Sequence, residues 1–229
     1  MLLYKGWLET RYRLLFALGF VGFFLFSAFS RGVKAPAGVK VVVGSLWILV
    51  PVIAIILAGA GITTQPALQA TKGLHGSMLF TLSLPVSRLR LLAVRASLGW
   101  LEMAAGVGVM CCGMWILFPV LRETTTPAEM FEYTVALVAC ASGLYSVAVL
   151  LGTFLDDLWR FQGSAVVFGA LWWLSNHTPL PASANIFRAM GEGSPLIAHS
   201  MPWTAMAFSL ELAAILFFAA LKIVQLKEY

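Results

Sequence analysis

Gly76 to Arg95 reads GSMLFTLSLPVSRLRLLAVR. The stretch lies between two long apolar runs, breaks at Leu84-Pro85-Val86-Ser87-Arg88, and restarts as a basic run leading into a further hydrophobic segment. Arg88, Arg90 and Arg95 do not belong in hydrocarbon. Yet Leu74, Met78 and Leu82 recur at i, i+4 and i+8, a spacing that lays one apolar stripe along a helix. A helix on the cytoplasmic surface, offering that stripe to the groove of a second protein, meets both demands. Pro85 stops this helix and holds Leu84 extended, and Ser87 is placed to cap the next one.

Composition sets the class. Hydrophobic residues make up 60% of the 229 and charged residues 11%, with a mean hydropathy of +0.90. A soluble domain carries about 25% charge, so this chain has too few polar groups to cover a water-facing surface and reads as an integral membrane protein. Its length suits one membrane domain over residues 1–229. The net charge of +5 comes from basic residues between apolar runs, which marks topology signals and lipid headgroups rather than nucleic acid. Cys111, Cys112 and Cys140 all lie inside apolar runs and read as small apolar fillers, not as a disulfide or metal site.

A span needs about 20 mostly apolar residues. Six runs qualify or nearly do: 14–30, 41–62, 96–121, 133–155, 163–175 and 203–221. The first and fifth are short, and Pro51 kinks the second. With the N-terminus inside, Lys5, Arg11, Arg13, Lys72, Arg88, Arg90, Arg95, Arg160, Lys222 and Lys227 fall on the cytoplasmic side. Arg31, Lys34, Lys40, Arg122 and Arg188 fall outside, and this excess places both termini in the cytoplasm. Residues 1–13 put Leu3, Trp7 and Leu8 on one helical face, as in a helix lying in the membrane interface. Residues 176–202 hold four prolines and several apolar side chains, which predicts a re-entrant outer segment that completes the short fifth span. The expected fold is therefore an all-α integral membrane protein with six transmembrane helices, an N-terminal interfacial helix and a re-entrant segment before the last span. The stretch 156–160, Asp-Asp-Leu-Trp-Arg, is either a second partner contact or a solvated turn.

Two carboxylates lie within spans, Glu102 in the third and Glu211 in the sixth. Ionisable groups at membrane depth cost roughly 2.5–3.5 kcal/mol when left facing lipid, so each is a functional candidate. Glu102 either reaches the interface or pairs with Arg95, seven residues earlier on the same face. Glu211 either faces a cavity between two copies or hydrogen-bonds within the bundle to hold the outer segment. His75, His177 and His199 are too scattered for a metal site, and no grouping suits catalysis. A Walker A sequence is missing as well, so the chain carries no nucleotide-hydrolysing motif of its own.

The arrangement resembles the permease subunit of ABC-2 type ABC transporters. The pattern in that family is roughly Gly-Thr, then Leu-Leu-Ser-x-Pro-Val-Ser-Arg, then an apolar run ending in Lys. Here Gly76 and Ser77 stand at the first part, and Leu82, Ser83, Pro85, Val86, Ser87 and Arg88 at the second, with Arg95 near the Lys position. The sequence likeness is concentrated in about twenty residues, whereas the topology likeness covers the chain. Where the family commonly has Glu around the Gly-Thr, this chain has Leu74, His75 and Leu79.

The resemblance implies that residues 63–95 form the coupling region, with Leu74, Gly76, Met78, Leu82, Ser83, Pro85, Ser87 and Arg88 contacting a separate ABC ATPase subunit. It implies two ATPase copies, which bind the ATP and Mg, and a second permease chain as a homodimer in contact with membrane lipids. The setting implied is a bacterial cytoplasmic membrane, and the activity ATP-driven export. Two other classes remain open: an intramembrane enzyme acting on a lipid-linked substrate, and an ATP-independent secondary transporter using Glu102 and Glu211.

Overall fold

A computed structural model describes residues 11, 14–23, 27, 37–58, 87–155, 157–178 and 181–226. The described elements are all helical. In chain order they are α1 (Leu14–Phe23), α2 (Ala37–Leu57), α3 (Arg88–Leu117), α4 (Pro119–Thr124), α5 (Pro127–Leu151) and α6 (Asp157–His177). A 3₁₀ turn at Ala182–Ala184 precedes α7 (Ile186–Met190), α8 (Pro195–Ala198) and α9 (Trp203–Leu226). Among these residues, three helices are long and apolar enough to cross a membrane: α3 over Leu92–Leu117, α5 and α9. Their outward faces carry large apolar side chains, among them Leu101, Val109, Ile116, Phe131, Ile215 and Phe218. An apolar exterior of this kind suits lipid rather than water.

Helix α5 is the axis of the bundle, two-thirds buried over its span, whereas α9 is 17% buried and sits at the periphery. Lipid tails give apolar helices no hydrophobic reason to associate, so close backbone approach through small residues supplies the attraction. Gly143 shows how. A side chain there would meet Ser209 Oγ at 2.9 Å. In its absence Ser209 donates to the Cys140 carbonyl at 2.8 Å and accepts from the Gly143 amide at 3.1 Å, fastening α9 to α5. On the α3 side, the Trp100 indole donates to Ser142 Oγ at 2.9 Å.

Helix boundaries follow from local chemistry. Ser87 Oγ accepts from the Arg90 amide at 3.3 Å, capping α3 as the sequence leads one to expect. Pro119 opens α4, and Thr126 with Glu129 forms a reciprocal capping box at the start of α5. Helix α3 runs for 30 residues without a break, so the basic run Arg88 to Arg95 forms the first turns of the helix that continues through the third apolar run.

The fifth run differs from expectation. Helix α6 begins at Asp157 and has 21 residues, about 31 Å at 1.5 Å per residue, and is thus longer than the expected 163–175. That segment folds into short helices packed on α5 and α6. Asn185 Oδ1 caps α7 through the Phe187 and Arg188 amides, and its Nδ2 donates to the Ser175 carbonyl at 3.1 Å. The Tyr133 hydroxyl donates to the Met190 carbonyl at 3.2 Å, and Phe187 meets Phe168 edge-on at 5.2 Å. The interfacial helix expected over residues 1–13 lies outside the described residues, Arg11 excepted.

Glycine positions give a direct test. A Cβ on Gly99 would lie 2.5 Å from Tyr145 Oη and 2.6 Å from the Leu57 carbonyl oxygen, whereas one on Gly108 meets nothing within 4 Å. Gly99→Ala is expected to cost about 1–3 kcal/mol through overpacking, and Gly108→Ala to be neutral or slightly stabilising through helix propensity. Melting temperatures in detergent check this; equal values for the two variants would contradict the packing described.

Candidate functional site

Two charged side chains lie inside the bundle. Glu102 on α3 is 4% exposed and Arg160 on α6 is 5% exposed. Both act electrostatically on the Tyr145 hydroxyl of α5, which donates to the Ala96 carbonyl of α3 at 2.7 Å. Each of the two charges, and Arg95 as well, is engaged by a partner. An isolated buried charge is untenable, and burial is tolerated where charges and hydrogen-bonding groups are gathered.

The elements that build this node are legible one by one. On α3, Ala96, Gly99 and Met103 recur at spacings of three and four and turn one face inward. On α5, Tyr145, Ala148 and Gly152 do the same. Gly99 admits both the phenol of Tyr145 and the last carbonyl of α2. Gly152 ends α5, and a Cβ there would meet Arg160 Cδ at 3.2 Å and the Ala148 and Val149 carbonyls at 3.3 Å. The arginine therefore lies across the final turn of α5, where the helix dipole favours a cation. Ser164, one turn further along α6, is also buried, and its hydroxyl has no hydrogen-bond partner among the described residues.

The node joins the last turn of α2, the third and fourth turns of α3, the last turns of α5 and the first turn of α6. The end of α2 and the start of α3, which bound the stretch expected to couple (63–95), and the α5–α6 connection, where the expected 156–160 contact falls, lie at this end. Chemically, the arrangement fixes four helix ends relative to one another.

The sequence-derived candidates divide as follows. Leu74, Gly76, Met78, Leu82, Ser83 and Pro85 lie outside the described residues; Ser87 and Arg88 form the cap and first residue of α3. Glu102 does not reach the interface; it is buried. Glu211 is exposed on α9, and no described residue hydrogen-bonds to it. His177 contacts the Trp173 carbonyl and His199 lies 3.9 Å from Glu129. No described group of three His, Cys, Asp or Glu side chains is arranged to hold a metal.

Sequence reasoning missed Tyr145 and placed Arg160 in a loop. The signal for Arg160 was Asp157, an acidic residue suited to a helix first turn, followed by an apolar run in phase with it. Comparison with protein-family models, curated proteins and solved structures finds no match.

The node makes a thermodynamic statement. Glu102→Gln and Arg160→Met are each expected to destabilise by roughly 3–5 kcal/mol, the cost of leaving buried charge uncompensated. The double variant should lose less than the sum of the two. Unfolding titrations in detergent measure this, and strict additivity would show that the two charges are independent. Tyr145→Phe should cost about 1 kcal/mol.

Proposed function

We propose that this chain is the membrane-spanning subunit of an ATP-driven transporter of the ABC-2 class, an exporter that works as a homodimer with two separate ATPase subunits. The observation that carries the reading is the buried node of Glu102, Tyr145 and Arg160 at the roots of the proposed coupling region. Its support comes from position. The segment that carries the ABC-2 pattern, from Gly76 to Arg88, is bounded by the end of α2 and the start of α3, and both helices meet at Gly99.

In this reading α1, α2 and α6 are the remaining spans beside α3, α5 and α9, and α7–α8 form the outer re-entrant segment. Both termini face the cytoplasm of a bacterial cell, across its inner membrane. ATP and Mg bind the partner ATPases, and phosphoryl transfer takes place there. When the ATPases close on ATP they displace the helix that carries Leu74, Met78 and Leu82. The node ties α2, α3, α5 and α6 together, so the displacement moves them as a unit. Glu211, a carboxylate on the exposed face of a span, faces the translocation path or the second copy, since facing lipid is costly.

The test is affinity purification of the tagged chain from native membranes in mild detergent, with mass spectrometry and an ATPase assay. A stoichiometric ATPase is expected, lost in Leu82→Glu and in the double variant Pro85→Ala/Arg88→Glu. Glu211→Gln should retain the ATPase while coupled turnover falls several-fold. A clean preparation without an ATPase, or one unaffected by substitutions in the 74–88 segment, would sink the reading.

A further inference from the structure

At the end of the bundle away from the node, α2, α6 and the α7–α8 segment line a half-open cavity of about 960 Å³. That is the upper end of the range for small-molecule sites. Its lining is mixed, with one apolar and aromatic side formed by Val43, Trp47, Trp172, Phe187 and Ile197, the two indoles stacked at 6.0 Å and 14°. Its polar lining includes Lys40, Arg188 and Glu192. All three charged side chains are exposed, and no described residue forms an ion pair with them.

Position adds a second constraint. Lys40 is in the first turn of α2 and Asn176 in the last turn of α6, the helix ends where headgroups lie. Trp47 is about 10 Å along α2 from Lys40, and Trp172 about 6 Å along α6 from Asn176. Charged groups thus surround the outer part of the cavity and aromatic rings the inner part, the layering of a membrane interface. Among the described lining residues, two cations and one carboxylate give a net charge of +1, the complement of a phosphodiester. Lysine and arginine are the usual partners of phosphate oxygens.

We infer that this cavity binds an amphiphile with a phosphodiester head, its phosphate between Lys40 and Arg188 and its apolar part against Trp47, Trp172 and Phe187. Glu192 weakens the grip on heads of higher negative charge. This inference does not depend on ATPase coupling or on export; it rests on the cavity and on the part of the proposed reading in which α2 and α6 cross the membrane.

The experiment titrates delipidated protein in a neutral maltoside detergent with dihexanoyl-phosphatidylglycerol, followed by calorimetry and tryptophan fluorescence. Saturable binding of one molecule per chain is expected, with dihexanoylglycerol, which lacks the phosphate, at least tenfold weaker. The double variant Lys40→Gln/Arg188→Gln should bind the phospholipid at least tenfold more weakly at an unchanged melting temperature, and Glu192→Gln more tightly. Should the double variant not fold, the two single variants carry the same test. Equal affinity for the neutral diacylglycerol, or unchanged binding by the folded variants, would overturn the inference. Native mass spectrometry of protein taken directly from membranes separates the sources. One co-purifying phospholipid per chain identifies a resident membrane lipid; a chain that arrives empty yet binds the probe takes a freely exchanging phosphodiester.

Discussion

Everything in this bundle depends on how closely other backbones approach α5. Inside a membrane, water does not press apolar helices together, so contact must come from fit and from hydrogen bonds between spans. Gly143 and Ser209 supply both on one side. On another, Gly99 leaves the space in which the Tyr145 hydroxyl reaches the Ala96 carbonyl at 2.7 Å. The third small residue, Gly152, ends α5 and leaves space for the aliphatic stem of Arg160. Were these positions filled, α2, α6 and α9 would stand off by the width of a methyl group or more. The buried charges would then be open to lipid.

The two ends of the bundle handle charge differently, and the contrast is physical. At one end Glu102 and Arg160 are enclosed, where the effective dielectric is low and attraction is strong but desolvation is costly. Charges enclosed in this way suit rigidity. At the other end Lys40, Arg188 and Glu192 are exposed around a cavity with an aromatic side, where charge stays solvated. Helix α6 takes part in both, with Arg160 near its start and Trp172 and Asn176 near its finish.

Long apolar runs were the most legible part of the sequence. The expected 133–155 and 203–221 correspond to α5 and α9, which begin at Pro127 and Trp203, because hydrophobicity over twenty residues outweighs any local propensity. The earlier start of α5 was encoded in Thr126, Pro127 and Glu129, a capping pattern that hydropathy does not register. Arg160 was harder for a definite reason. A charge next to Asp156 and Asp157 reads as a turn, and only the C-terminus of a neighbouring helix makes its burial tolerable. Glu102 was recognised as a candidate because a lone carboxylate in an apolar run is conspicuous. Its surroundings were not, since Tyr145 and Arg160 are 43 and 58 positions away in the chain. Lys40 and Arg188 were read only as topology signals, because nothing in sequence spacing brings them to one cavity.

Helix α3 has a mechanical consequence. It is continuous from Arg88 to Leu117, and it is gripped at Gly99, where α2 and α5 come nearest. Eleven residues lie on one side of the grip and eighteen on the other, arms of about 17 Å and about 27 Å at 1.5 Å per residue. The longer arm is packed along its length, with Met103, Val107, Met110, Cys111 and Met114 buried, so a displacement of the basic arm is carried into the bundle as a whole. The far arm carries Trp115, whose indole donates to the Thr125 carbonyl at 3.4 Å in the turn that leads into α5. Helix α3 thus joins the basic end of the bundle directly to the turn that opens α5.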